Sequence, residues 1–151
     1  MIKYIDGDII KMSDNFEVIG HCSNCFCAMG SGIAPQIKHK FPEAYKVDCE
    51  TISGDESKMG TITYTKNTKP TTIVNLYGQY GYGRKNGQMD LDYDALRKAL
   101  RMAKNKFTGK SFGFPKLGSG LAGGSWDIIE QIIEEELKGE DVTVVNYVPQ
   151  N

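Results

Sequence analysis

Two glycine-bearing stretches carry the residue types best suited to holding an anion. The longer is Phe114-Pro115-Lys116-Leu117-Gly118-Ser119-Gly120-Leu121-Ala122-Gly123-Gly124-Ser125-Trp126. Glycine accepts positive φ and lets a ligand approach the main chain closely, so successive N–H groups can converge on one concavity. Ser119 and Ser125 add hydroxyl donors. Its glycines match neither a G-x-x-x-x-G-K-[ST] loop nor a G-x-G-x-x-G dinucleotide fingerprint in its usual context, so the commonest phosphate-binding routes are excluded. The shorter stretch, Met29-Gly30-Ser31-Gly32-Ile33, has the same ingredients. Two such turns beside one cleft suit a ligand with several phosphates, or with a phosphate next to a sugar.

A second group of chemical residues is His21-Cys22-Ser23-Asn24. His21 has a side chain that titrates near neutrality and could orient or deprotonate water, or protonate a leaving oxygen. A strand-end histidine satisfied by a backbone carbonyl is the competing reading. Asp8 could accept a hydrogen bond from an adenine amino group or cap the turn that follows it. The four cysteines are Cys22, Cys25, Cys27 and Cys49. A metal site would need a remote partner for the C-x2-C-x-C cluster, and Cys49, His21 and His39 are the candidates; reduced structural thiols are the expectation. No second histidine stands ready to activate Cys22 as a nucleophile. Residues 77–87 alternate tyrosines and glycines and include Arg84 and Lys85, a surface loop that either is mobile and takes no ligand or stacks its rings on a base and clamps a phosphate with its cations.

The elements that must position these residues follow from periodicity. Strands are expected over residues 1–5, 16–22, 59–65, 71–77, 110–114 and 141–148, the third and fourth forming a hairpin through Lys66-Asn67-Thr68-Lys69-Pro70. Helices are expected from Ile33 through Phe41, with Ile33, Ile37 and Phe41 on one face, and over 92–105, with Tyr93, Leu96, Leu100 and Ala103 inward. A further helix over 126–137 is expected to bury Ile128, Ile129, Ile132, Ile133 and Leu137 and to turn its glutamates outward. Residues 42–49 read as another helical turn or two. The alternation gives an α/β chain of three layers with a mixed central sheet. Both glycine turns then fall at the carboxyl edge of that sheet.

The 151 residues suit a single domain over 1–151, and 18 basic against 19 acidic side chains leave a formal charge of -1, with no overall pull toward nucleic acid. No apolar run approaches membrane-spanning length, and the N-terminus turns acidic too early for a secretory signal, so a cytoplasmic protein with no membrane partner is expected.

Together, Gly7-Asp8-Ile9, His21-Cys22-Ser23-Asn24, Met29-Gly30-Ser31-Gly32-Ile33-Ala34, the 114–124 stretch, Trp126 and Asn146-Tyr147 resemble a macro domain, the ADP-ribose-binding module, over essentially the whole chain. The chain is most similar to the small stand-alone branch that includes ADP-ribose 1''-phosphate phosphatases and ADP-ribosyl hydrolases. The resemblance implies a three-layer α/β/α macro domain. It puts Asp8, with Ile9, and Tyr147 at the adenine, Gly30, Ser31, Gly32 and Ile33 in the first phosphate-binding turn, and Gly118, Ser119, Gly120, Leu121, Ala122 and Gly123 in the second. Asn24 falls near the distal ribose. The implied activity is hydrolysis of ADP-ribose 1''-phosphate with His21 and Asn24 as catalytic residues and no metal or cofactor. The alternatives are an ADP-ribose reader, or a hydrolase that removes ADP-ribose from protein or nucleic acid, which would make an ADP-ribosylated macromolecule the partner. More familiar macro domains have asparagine where His21 stands. Branch members that cleave carboxylate esters use an aspartate where this chain has Ala122, together with a middle-loop lysine, so that route is disfavoured here.

Overall fold

The alternation of small and branched residues along two central strands decides how the layers form. In β2 (Val18–Cys22) and β4 (Thr72–Leu76), Val18 and Val74 point to one side of the sheet while Ile19 and Ile73 point to the other. All four are 0–1% exposed, so both faces must be covered. The computed structural model describes residues 1–83, 89–120 and 122–149. The other elements are β1 (Lys3–Gly7), α1 (Ala34–Lys40), α2 (Pro42–Cys49), β3 (Ile62–Tyr64), α3 (Tyr93–Phe107), β5 (Ser111–Phe114), α4 (Trp126–Glu136) and β6 (Asp141–Tyr147).

The six strands lie in the order β1-β6-β5-β2-β4-β3, parallel throughout except for the β3–β4 hairpin. Helices α3 and α4 cover one face, burying Leu96, Leu100, Ile129 and Ile133 against Val18, Val74, Phe112, Phe114 and Val144. The smaller α1 and α2 cover the other, where Ile37 and Ala44 meet Ile19, Ile73 and Val145. The result is the expected three-layer α/β/α fold with a mixed sheet. Among the described residues no helix is long and apolar enough to cross a membrane.

Asp92 starts α3 by accepting the N–H of Ala95 at 3.0 Å, which satisfies one of the first-turn donors. Several details depart from the sequence reading. The first strand runs from Lys3 to Gly7 and not from residue 1 to 5, because its register is set by pairing with residues 143–147 of β6. Residues 42–49, by contrast, form the short helix expected there, α2, of 8 residues. Ile128 is 44% exposed, since the α4 stripe that meets α3 and the sheet runs through Ile129, Ile132 and Ile133. Glu136 is not on a solvated face: its carboxylate bridges Arg97 and Arg101 of α3 at 2.9 Å each. Because the parallel strands all end at one edge, Asp8, residues 23–24, residues 78–79, residues 115–120 and 122–124 and Tyr147 are delivered there together.

Candidate functional site

That edge carries a cleft of two joined chambers. The first, of about 300 Å³, is lined by Asp8, Ile9, Gln36, Val145 and Tyr147, and by Gly32, Ile33 and Pro115. The last three residues also line the second chamber, of about 280 Å³, whose floor and walls include His21, Ser23, Asn24, Gln79, Asp90 and Gly120. The connection is therefore made by the two glycine turns. Gly32 and Gly118 both have φ of +64°, a left-handed backbone that a Cβ would strain. The N–H groups of Ser31, Gly32 and Ile33 on one side, and of Ala122 on the other, make no backbone hydrogen bond among the described residues outside the regular elements. Donors at a strand-to-helix turn that lack internal partners are suited to an anionic ligand.

The two turns are built differently. In the second, an added Cβ on Gly124 would sit 2.4 Å from Leu91 Cδ2 and 2.8 Å from the Gly118 carbonyl, so this glycine serves close packing. Gly120 has no atom within 4 Å of such a Cβ and borders the second chamber. Ser119 turns its hydroxyl to the Lys116 carbonyl at 3.1 Å, and neither Ser119 nor Gly30 lines a chamber. Ala122 and Gly123 follow in the turn, with the Gly123 N–H donating to the Gly120 carbonyl at 3.0 Å. Leu121, like Arg84, Lys85 and Gly87 of the glycine–tyrosine loop, lies outside the described residues.

Asp8 uses Oδ1 to accept the N–H groups of Ile10 at 3.0 Å and Lys11 at 3.4 Å. The capping geometry thus fixes a carboxylate at the rim of the first chamber, where Tyr147 is 65% exposed opposite it. Asn24 is committed to its own loop. Its amide donates to the Ala28 carbonyl at 2.9 Å, and its oxygen accepts from Phe26 N at 2.9 Å and Ala28 N at 3.3 Å. Asn24 therefore shapes the wall of the second chamber, with both polar atoms of its amide engaged inside its own loop and one N–H of Nδ2 left over.

His21 is 1% exposed and lies at the end of a buried polar chain. Tyr77 donates its hydroxyl to Asp48 Oδ1 at 2.7 Å, and its oxygen lies 2.9 Å from Thr63 Oγ1. Asn75 donates from Nδ2 to Thr63 Oγ1 and to the Ala44 carbonyl, both at 3.0 Å. A carbonyl only accepts, so the amide orientation is fixed and Asn75 Oδ1 must face His21 Nε2, 2.6 Å away. His21 Nε2 consequently carries the proton, and buried Nδ1 has no partner. Burial, opposed by the Asn75 hydrogen bond, lowers the imidazole pKa from 6.5 to about 4. The ring is neutral at pH 7 and its one N–H is already given to Asn75.

The thiols do not converge on an ion. Cys25 and Cys27 donate to the carbonyls of Gln79 and Asp48, Cys49 is exposed, and burial pushes the Cys22 thiol up to about 12. Among the described residues no group of three or more His, Cys, Asp or Glu side chains could hold a metal ion.

Sequence reading passed over Asn75, Gln79 and Asp90. Asn75 is the sole amide in the apolar run Thr72-Ile73-Val74-Asn75-Leu76, a legible sign of a buried partner. Asp90 is the one acidic side chain among the described residues that line the second chamber, yet in Met89-Asp90-Leu91-Asp92 it looks like part of a helix cap.

Comparison with known proteins adds relatives to this geometry. A family model described as Macro domain matches residues 21–133. A 17.5 kDa protein of unassigned activity from the tk-vs intergenic region of phage T4 is 32% identical, the alignment covering 99% of this chain and 98% of that one. An ADP-ribose 1''-phosphate phosphatase of Debaryomyces hansenii is 27% identical over 89% of this chain and 93% of its own length. A DNA ADP-ribosyl glycohydrolase of Mycobacterium tuberculosis is 28% identical over 99% of this chain but only 42% of its own. Among solved structures, a protein of unknown function from Bacteroides thetaiotaomicron superposes with a TM-score of 0.81 at 30% identity, covering 98% of both chains.

Proposed function

The chain belongs to the Macro domain family, and from that premise we propose that its cleft binds ADP-ribose and hydrolyses the bond joining C1'' of the distal ribose to a macromolecule. The adenine occupies the first chamber between Asp8 and Tyr147. The diphosphate crosses the neck on the free N–H groups of the two glycine turns, and the distal ribose enters the second chamber. The observation that carries this reading is the make-up of that second chamber, whose lining includes both Asp90 and a neutral histidine.

Asp90 acts on water. As the water oxygen bonds to C1'', the carboxylate takes its proton, and the C1''–leaving-group bond breaks with its electron pair going to the leaving atom. The proton then passes to that atom, and the carboxylate also steadies the positive charge that builds on the sugar. His21 and Asn24 hold the floor and wall of the chamber. A phosphomonoester fits less well: among the described residues Lys116 is the one cation of the lining, its Nζ lies over the Trp126 ring at 5.8 Å from the ring centre, and the imidazole is uncharged. Dephosphorylation of ADP-ribose 1''-phosphate is the second reading, supported by the unpaired turn donors and by the Debaryomyces relative.

The test offers ADP-ribosylated DNA, ADP-ribosylated protein and ADP-ribose 1''-phosphate to the same preparation, following release of ADP-ribose and of inorganic phosphate. Release of ADP-ribose from a macromolecule is expected. Asp90→Asn should lower kcat by about 10²-fold or more while leaving ADP-ribose affinity within a few-fold. Phosphate release alone, unaffected by Asp90→Asn, would transfer the assignment to the second reading.

A further inference from the structure

An exposed aromatic group stands beside the second chamber and has no part in the chemistry just described. Phe26 lies edge-to-face with Tyr80, centroids 4.9 Å apart, and with Tyr82 at 6.2 Å. Phe26 is 37% and Tyr82 52% exposed. The patch adjoins the chamber through the chain itself. Phe26 sits between the chamber-lining residues Asn24 and Ala28, and Tyr80 follows Gln79, which lines the same chamber.

The patch is braced. Tyr80 donates its hydroxyl to the Gly54 carbonyl at 2.8 Å, and the N–H groups of Cys25 and Gly54 bond Tyr80 O at 2.9 Å and Cys25 O at 2.7 Å. Lys58, itself 7% exposed, also reaches the Cys25 carbonyl at 3.0 Å, and Ser53 donates to the Phe26 carbonyl at 3.3 Å. The backbone that carries Phe26 and the Tyr80 side chain are fixed by these bonds, and Tyr82 packs on Phe26, so the rings lose little freedom when a ligand settles on them.

We infer that Phe26, Tyr80 and Tyr82 form a stacking platform for a nucleobase next to the ADP-ribosylated position, so that the macromolecule served by the cleft is a single-stranded nucleic acid. This rests on the proposed placement of ADP-ribose in the cleft. The group bonded to C1'' leaves from the second chamber, and the platform adjoins that chamber. Ring faces suit a flat base, and every base has such a face. A peptide carrying the modification would ask instead for main-chain hydrogen-bonding groups, and here the N–H groups of Cys25 and Phe26 are given to Tyr80 O and Asn24 Oδ1 while the Cys25 carbonyl already accepts from Lys58 and Gly54. Stacking on neutral rings asks for no net positive charge from a chain whose formal charge is -1.

The experiment measures single-turnover cleavage of a short single-stranded oligonucleotide carrying ADP-ribose on one base, and of an ADP-ribosylated peptide, with calorimetric titration of free ADP-ribose alongside. Phe26→Ala and Tyr82→Ser should each weaken oligonucleotide use about tenfold, in the range set by loss of one stacked ring. Free ADP-ribose affinity should stay within twofold, and Phe26→Trp should restore oligonucleotide use. Equal activity of the wild type and both variants on the oligonucleotide would overturn the platform, as would an equal loss on the peptide. Failure of the wild type to bind ADP-ribose at all would instead overturn the reading of the cleft on which the platform depends.

Discussion

At the scale of single residues, His21 illustrates how surroundings redefine a side chain. The free imidazole titrates near 6.5, whereas burial carries the folded value to about 4. The unfolded chain therefore binds more protons between those values. The stabilisation from a neutral His21 is complete above pH 6.5 and is lost as pH falls toward 4. A fall of that size corresponds to roughly 3 kcal/mol at about 1.4 kcal/mol per unit. Urea unfolding at pH 7 and pH 4.5 should show that loss in the wild type and a flatter dependence in His21→Gln. Asn75→Asp tests the hydrogen-bond chain behind the ring. A carboxylate facing Nε2 should bring the imidazole pKa above its ordinary value, read from the ring nitrogen shifts by NMR, and a value still near 4 would show that Asn75 does not govern the ring.

At the scale of elements, the second glycine turn separates into a packing part and a ligand part. Gly124→Ala would drive a methyl into Leu91 and the Gly118 carbonyl, and overpacking of this kind costs about 1–3 kcal/mol. Gly120→Ala meets nothing within 4 Å, so its thermal midpoint should stay near that of the wild type while ADP-ribose binding weakens. Circular dichroism melts paired with titration of ADP-ribose distinguish the two. Equal melting temperatures for both variants would mean that the turn gives way without resistance. The helices follow the same logic: the sequence shows that α4 has an apolar stripe, but whether Ile128 or Glu136 faces α3 depends on where that neighbour lies. The answer came out opposite for the two residues, Ile128 outward and Glu136 against Arg97 and Arg101.

At the scale of the whole molecule, the cleft joins groups from both ends of the chain and from both sides of the sheet. Asp8 follows β1, Tyr147 ends β6, and the two turns lead into helices on opposite faces. A ligand spanning both chambers should therefore stabilise the fold as a unit. At a hundred times its dissociation constant ADP-ribose should add about 2.7 kcal/mol, raising the melting temperature by roughly 5–10 °C. Asp8→Ala should remove most of that rise by weakening the adenine end, and a full rise in the variant would discard the adenine contact.

What the sequence determined by itself is the class of the fold and the edge at which the site lies. Apolar alternation in Val18-Ile19 and Ile73-Val74, the stripe through Leu96, Leu100 and Ala103, and glycine turns at strand ends are local patterns, and a parallel sheet collects its strand ends on one side. The composition of the site was legible in part. Asp8, Gly32, Ile33, Gly118, Gly120 and Tyr147 stand in runs whose residue types announce a turn or a strand end, and all of them line the cleft or its neck. Only the tertiary structure decided what His21 and Asn24 can do, because protonation and hydrogen-bond capacity depend on neighbours distant in the chain, such as Asn75, or on the exact closure of the 24–28 loop. The same holds for Asp90, which becomes a chamber wall only when the segment before α3 packs against the turn carrying Ala122, the Asp90 N–H meeting the Ala122 carbonyl at 3.1 Å. Periodicity records which face of an element is dry; it carries no record of which polar groups meet once the elements are packed.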